Sequence, residues 1–178
     1  MQRMSGIATL TRQYTEKLKG YSTQLLDTRK TTPNFRLLEK EAVRIGGGVN
    51  HRFGLYDMMM LKDNHIDYAG GVKNAIIEAN EYLKKNKLNL QIEIETRNID
   101  EVNEAIETGN INRTMLDNFT TAELTEAIKI INGKFETEAS GGIVLENVKE
   151  YALTGVDFIS IGCLTHSYKS LDFSLKAI

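Results

Sequence analysis

Two short apolar stretches in the first third of the chain end in cationic groups. Residues 25–26 run into Asp27, Thr28, Arg29 and Lys30, and residues 58–61 run into Lys62, Asp63, Asn64 and His65. Between them lie Gly46, Gly47 and Gly48 and the pair His51-Arg52. Cations at strand ends, joined by glycine-rich connections, suit a site that holds a small, multiply charged anion against rigid supports. Arg would grip carboxylate or phosphate through its planar fork and Lys as a point charge. Taken singly, each of Arg29, Lys30, Arg52 and Lys62 is an ordinary surface cation.

Further along, Glu95 and Asp117 close apolar runs whose side chains are expected to be buried. A buried carboxylate without a partner is costly, so these two are expected to face a polar site, accepting from hydroxyls or approaching a magnesium ion. The competing reading is a pair of surface carboxylates, and Glu93, on the same strand face as Glu95, illustrates it. Ser140-Gly141-Gly142 precedes a predicted helix, where backbone N–H groups, a hydroxyl and a helix N-terminus together suit a phosphate. Gly162 and His166 would complete that pocket, although glycines at such positions also serve tight turns alone. His51, His65 and His166 lack the spacing of a zinc site. Cys163 reads as a small buried hydrophobe near a loop.

The elements that must position these groups alternate. Ile7, Leu10, Thr11, Tyr14 and Leu18 recur at helical spacing before Gly20. Residues 23–27, 58–61, 90–95, 114–117, 135–139 and 158–161 read as strands. Helices are expected from Thr32-Pro33, with Pro in the first position, through Leu38, Ala42 and Ile45, along Val72, Ile76, Ala79 and Leu83, and over residues 145–154. Asn98 with Glu101 and Thr120 with Glu123 have capping-box spacing ahead of two more. Strand ends fall roughly 34, 34, 21, 23 and 22 residues apart, lengths that suit strand–helix repeats and a parallel sheet. Six strands fall short of a complete eight-fold barrel of about 250 residues. The α/β chain is therefore expected to form an incomplete, open α/β barrel, TIM-barrel-like, as one domain over 1–178, with a doubly wound open sheet as the alternative. Residues 171–178 read as a final strand or a docking helix.

Composition sets outer bounds. The 178 residues are 41% hydrophobic and 26% charged, enough for one domain with a real core. Residues 1–65 hold 11 Lys+Arg against 6 Asp+Glu, and the remainder 11 against 18, so a basic front can steer anions locally. The lone Cys163 excludes an intrachain disulfide and fits a reducing compartment. No stretch approaches the ~18 apolar residues of a membrane span, and no secretory apolar region follows Met1. A cytoplasmic protein without membrane association is expected. The basic residues lack interleaved aromatics, against nucleic acid as a partner.

DTRKTTPNFRLLEKEAVRIGGGVNHRFGLYDMMMLKDNH resembles the signature region of quinolinate phosphoribosyltransferase, also called carboxylating nicotinate-nucleotide pyrophosphorylase. IEIE, MLDN, EASGG and DFISIGCLTHSYKSLDFSL follow in that family's order and approximate spacing, over essentially the whole chain. The resemblance implies conversion of quinolinate and phosphoribosyl pyrophosphate to nicotinate mononucleotide, pyrophosphate and carbon dioxide, with magnesium. It implies that Arg29, His51, Arg52 and Lys62 line the quinolinate dicarboxylate, and that Lys30 serves the anionic cluster near the pyrophosphate. Glu95 and Asp117 would hold ribose hydroxyls and the magnesium environment, directly or through water. Ser140, Gly141, Gly142, Gly162 and His166 would bind the 5′-phosphate. Lys30, Lys62, Glu95 and Asp117 are the implied catalytic groups.

Family members also carry an N-terminal α/β domain whose arginine enters the neighbouring subunit's quinolinate site in a dimer. The resemblance thus implies that this domain lies outside residues 1–178, that the protein is a homodimer or larger homo-oligomer, and that apolar surface is exposed where the domain would pack. A truncated, noncatalytic anion-binding or assembly module is a second reading. A paralogous transferase acting on another ring acid is a third, against which Arg52, Lys62 and the LKDNH segment stand. A barrel aldolase with a Lys62 Schiff base is a fourth, disfavoured by the crowding of cations at that mouth.

Overall fold

The structure, a computed structural model, describes residues 1–177. The first half contains α1 (Gln2–Lys17), β1 (Gln24–Leu26), α2 (Arg36–Ile45), β2 (Met59–Leu61), α3 (Asp63–Ala69) and α4 (Val72–Lys85). The second half contains β3 (Ile92–Thr96), α5 (Ile99–Thr108), β4 (Arg113–Asp117), α6 (Thr121–Ile131), β5 (Glu136–Ser140), α7 (Val148–Ala152), β6 (Phe158–Ser160) and α8 (Cys163–His166). All six expected strands form, and every pairing is parallel.

The strand order is β1-β6-β5-β4-β3-β2. This order never reverses, as a doubly wound sheet would require. It is the order of a barrel with a seam between β1 and β2. Ile92 and Ile94 of β3 pack with α4 residues in one apolar cluster, while Leu25, Leu116, Ala139 and Ile159 join α1, α5 and α6 residues in another. Because side chains alternate along a strand, Glu93, Glu95, Met115, Asp117, Glu138, Ser140 and Ser160 face the opposite way, into the barrel.

The seam is occupied by an irregular segment rather than a strand. Val49 bridges Leu26 in parallel, donating to Leu25 O (2.7 Å) and accepting from Asp27 N (3.2 Å). The first of the three glycines before it serves packing. A Cβ on Gly46 would sit 2.5 Å from Thr11 Cβ and 2.6 Å from Ala8 O, so the glycine lets α1 and the end of α2 touch.

Local differences from expectation have local causes. Asn34 adopts a left-handed backbone (φ 63°), which breaks the run from Pro33 and delays α2 to Arg36. The single-turn-plus helix α3 follows β2 directly, and its His65 Nδ1 accepts the Lys62 N–H (2.9 Å). Thr120 and Glu123 make a complete capping box, whereas Glu101 bonds Arg97 instead of closing the reciprocal half at Asn98. Residues 171–177 form neither a strand nor a helix, and the end of that expectation, residue 178, lies outside the described residues.

Candidate active site

In a parallel barrel the carboxyl ends of all strands open on one face. Here they form a cleft of about 770 Å³. All twelve residues expected at the site line it: Arg29, Lys30, His51, Arg52, Lys62, Glu95, Asp117, Ser140, Gly141, Gly142, Gly162 and His166. His65, grouped with Lys62 by its position after β2, does not, because it closes the first turn of α3.

One wall is cationic and short of counter-charge. Among the described residues, Arg29 and Arg52 make no salt bridge. The Arg52 guanidinium donates, among the described residues, only to uncharged acceptors, Met58 O (3.0 Å) and Met60 Sδ (3.6 Å), and Arg29 Nε is buried without a partner. Burial, then the charge of Arg29, lowers the Arg52 pKa, the signature of cations crowded where an anion is wanted. Lys62, by contrast, is paired, with Nζ 2.8 Å from Glu95 Oε2.

The opposite wall carries oxygen acceptors and bare backbone. Asp117 is raised above the ordinary aspartate range by burial and by the Glu95 charge, against the pull of Lys62, an Asn118 hydrogen bond and Lys30. Asn118 has φ 58°, and its Nδ2 donates to Asp117 Oδ2 at 2.7 Å while its own N–H donates to Ser140 O at 2.8 Å. The N–H groups of Gly141, Gly142 and Gly162 donate to no other described residue, leaving three donors for an anion. The helix expected directly after Ser140-Gly141-Gly142 does not reach this wall: α7 starts only at Val148, because Asn147 Oδ1 takes the Val144 N–H (2.8 Å) in an intervening turn. Gly162 has a steric role as well, since a Cβ there would approach His166 Nε2 to 3.0 Å.

At the cleft floor His51 and Glu138 meet two residues that no strand end supplies, Glu93 and Arg113. His51 Nε2 is 3.0 Å from Glu93 Oε2 and 3.3 Å from Glu138 Oε2, and Arg113 Nη1 is 3.2 Å from Glu138 Oε2. Glu93 is fully buried, so the comparison of it with a surface carboxylate is corrected: on the inner face it has no water. Burial and then the Glu138 charge raise Glu93 to about 7, against the opposing pull of His51 and Arg113. For His51, burial pulls the ring down, but the hydrogen bonds and charges of Glu138 and Glu93 together favour its protonated form, up to about 9. That pull meets an obstacle, because Nδ1 accepts the Arg52 N–H at 2.6 Å. The geometry decides for a neutral ring with its proton on Nε2, and the cluster's extra proton then belongs to Glu93. Period two along ETEAS and IEIET was the available signal for Glu138 and Glu93, once the inner face was known.

The same three side chains bring a ring nitrogen and two carboxylates within 4.8 Å of one another, a set of possible metal ligands, with the Arg113 guanidinium already against one of them. Cys163 is half-buried, its Sγ 3.4 Å from the Tyr14 hydroxyl.

Residues 7–176 match the family model described as quinolinate phosphoribosyl transferase, C-terminal domain. The chain belongs to this family. Among curated relatives of this quinolinate phosphoribosyl transferase domain, "Quinolinate phosphoribosyltransferase [decarboxylating] 2, mitochondrial" of Nicotiana glauca is 50% identical over 190 aligned positions, covering 99% of this chain and 54% of the relative. "Probable nicotinate-nucleotide pyrophosphorylase [carboxylating]" of Bacillus subtilis is 46% identical over 175 positions, covering 98% and 59%. The crystal structure of NadC from Streptococcus pyogenes superposes with a TM-score of 0.93 at 44% identity, covering 99% of this chain and 60% of that one. The chain thus spans about half the length of the curated relatives it matches. These likenesses agree with an open, barrel-like α/β domain.

Proposed function

We propose that this chain carries the active site of a phosphoribosyltransferase that joins phosphoribosyl pyrophosphate to quinolinate, releasing pyrophosphate and carbon dioxide and leaving nicotinate mononucleotide, in NAD biosynthesis. The observation that carries this reading is the cationic wall: two guanidiniums, Arg29 and Arg52, face the cleft without a carboxylate partner. A ring dicarboxylic acid supplies the two missing charges. The names of the matched relatives support quinolinate as that acid.

The roles follow from the chemistry of each wall. Gly141, Gly142 and Gly162 offer N–H groups, and Ser140 and His166 polar side chains, to the 5′-phosphate. Glu95 and Asp117 accept from ribose hydroxyls. Their oxygen donors also suit magnesium, with Lys62 sharing Glu95, so Asp117 would be the principal protein contact, directly or through water. When bound, the ion neutralises charge on the pyrophosphate. Departure of pyrophosphate leaves positive character on the anomeric carbon, and Lys30 and Lys62 stabilise the departing charge. Arg29 and Arg52 hold the acid so that the pyridine nitrogen lies in line with that carbon. After the bond forms, the pyridinium ring stabilises the carbanion left when carbon dioxide departs, and a proton taken up from solvent at that carbon gives nicotinate mononucleotide.

Assembly into a homodimer or larger homo-oligomer is part of the same reading, supported by the exposure of Leu37, Leu55, Tyr56 and Tyr68, at 70%, 71%, 70% and 92%. The cytoplasm is its proposed compartment, supported by the single free cysteine. Among the described residues no helix is long and apolar enough to cross a membrane.

Calorimetric titration with quinolinate, alongside an assay for nicotinate mononucleotide after adding phosphoribosyl pyrophosphate and magnesium, tests the proposal. Binding with turnover is expected, and Arg52→Ala should weaken quinolinate far more than phosphoribosyl pyrophosphate. Binding without turnover would favour an anion-binding module. Preference for another ring acid would point to a different transferase, and binding of neither substrate would overturn the reading.

A further inference from the structure

His51 and Arg52 belong to no strand or helix. They ride on the segment that fills the barrel's seam, whose one ladder bridge is at Val49. Much of the rest of its hold comes from the buried Asp27–Lys40 pair. From outside, Asp27 Oδ1 accepts the His51 N–H (2.8 Å) and Oδ2 accepts from Asn50 Nδ2 (2.6 Å). Lys40 Nζ bonds both Asp27 Oδ1 (2.5 Å) and His51 O (2.9 Å). From inside, the His51 ring reaches through to Glu93 and Glu138 on β3 and β5.

Both carboxylates are fully buried, and neither oxygen of Glu93 finds a well-formed hydrogen bond. Arg113 steadies Glu138 but is shared with Glu136, and its guanidinium lies over the Phe158 ring at 4.0 Å. Two acids in a barrel interior, where apolar residues are the rule, carry a cost that packing alone does not explain. What they touch is His51, and what His51 touches next is the backbone N–H of Arg52.

We propose that Glu93 and Glu138 are positioning residues for the acid-binding wall: by flanking Nε2 of His51 with carboxylates from inside the barrel, they orient the seam segment and so aim Arg52 into the cleft. The proposal deepens the reading of the cleft as a quinolinate site and rests on it for the identity of the acid. Two observations make the link mechanical. His51 is hydrogen-bonded through Nδ1 and has Nε2 enclosed between the two carboxylates at 3.0 and 3.3 Å, so its rotation is restricted; and the Arg52 guanidinium lacks any charged anchor of its own, so its direction depends on the residue before it.

The experiment compares the parent chain with Glu138→Gln and the double variant Glu93→Gln/Glu138→Gln. It uses calorimetry with quinolinate and, separately, phosphoribosyl pyrophosphate, together with long-range ¹⁵N–¹H spectra of the His51 ring. The parent ring should read as the Nε2–H tautomer. In the variants the ring should become a mixture of states, and quinolinate affinity should fall about tenfold or more while phosphoribosyl pyrophosphate affinity stays within about twofold. Equal losses for both ligands, or an unchanged ring spectrum with unchanged quinolinate affinity, would overturn the proposal. Should the parent bind no quinolinate, the substrate reading fails, and the ring spectra alone decide whether the two acids set His51. Should the glutamine variants fail to fold, Glu93→Asp/Glu138→Asp, which keeps the charges but withdraws the carboxylates from the ring, must reproduce the quinolinate-selective loss, and equal losses there would overturn the proposal.

Discussion

Gly141 has no room for a side chain because Asn118 occupies it: a Cβ built on Gly141 would overlap Asn118 Oδ1 and come within 2.7 Å of Cγ. The contact joins the turn after β5 to the turn after β4, and Asn118 in turn holds the Asp117 carboxylate. Gly141 also has φ 94°, a region costly to an L side chain. Gly141→Ala should therefore displace Asn118 and disturb both the phosphate and ribose ends of the cleft. A tenfold or greater loss of phosphoribosyl pyrophosphate affinity is expected, with a stability loss of about 1–3 kcal/mol, read by calorimetry and urea unfolding.

Asn118→Gly isolates the hydrogen bond from the backbone, since glycine accepts φ 58° without strain. The lost donor was lowering the Asp117 pKa, so that pKa should rise further. Phosphoribosyl pyrophosphate binding needs the ionised carboxylate in the proposed role. Its decline on acidification should begin at a higher pH in the variant than in the parent, and superimposable pH profiles between pH 4 and 8 would exclude the effect.

Asp27 and Lys40 form a buried pair in which burial raises the acid and lowers the amine. Removing one partner strands the other. Lys40→Met should cost about 3–5 kcal/mol, visible as a lower urea midpoint, and Asp27→Asn/Lys40→Met should recover part of it. A double variant no better than the single would mean that the lost bond to His51 O, rather than the stranded charge, dominates.

Glu93 gives stability a definite pH dependence. Its folded-state pKa of about 7 lies above the ordinary glutamate value, so its contribution is fully present below the unfolded value and is lost as pH rises through about 7. The urea midpoint should fall between pH 5 and 8 in the parent. Glu93→Gln, which imitates the protonated carboxyl, should flatten that fall, and an equally steep decline in the variant would assign it to other groups.

Much of the architecture was legible in one dimension because its causes are local. Period two in LQIEIE and helical spacing from Val72 to Leu83 depend on neighbours within a few residues, so β3 and α4 appear where expected. Parallel strands then bring their carboxyl ends together, and that topological rule collected Arg29, Lys62, Glu95, Asp117 and Gly162 without any knowledge of contacts. The start of α2 was less legible, since Asn34 in a left-handed conformation looks like any other asparagine in a turn.

What the sequence by itself determined is therefore the six strands, most of the helices around them, and the strand-end groups, because backbone propensity and side-chain alternation act over short distances. The strand count pointed to an open barrel, but tertiary structure decided it against a doubly wound sheet and set residues 49–52 in the seam. Tertiary structure alone decided that Gly46 exists for α1, and that Glu93 and Glu138 meet His51 inside the barrel. The physical reason is common to all of these. Whether a carboxylate is solvated or buried against an imidazole depends on partners 42 and 87 residues away from His51, and no local pattern records which face of a strand will be closed off from water.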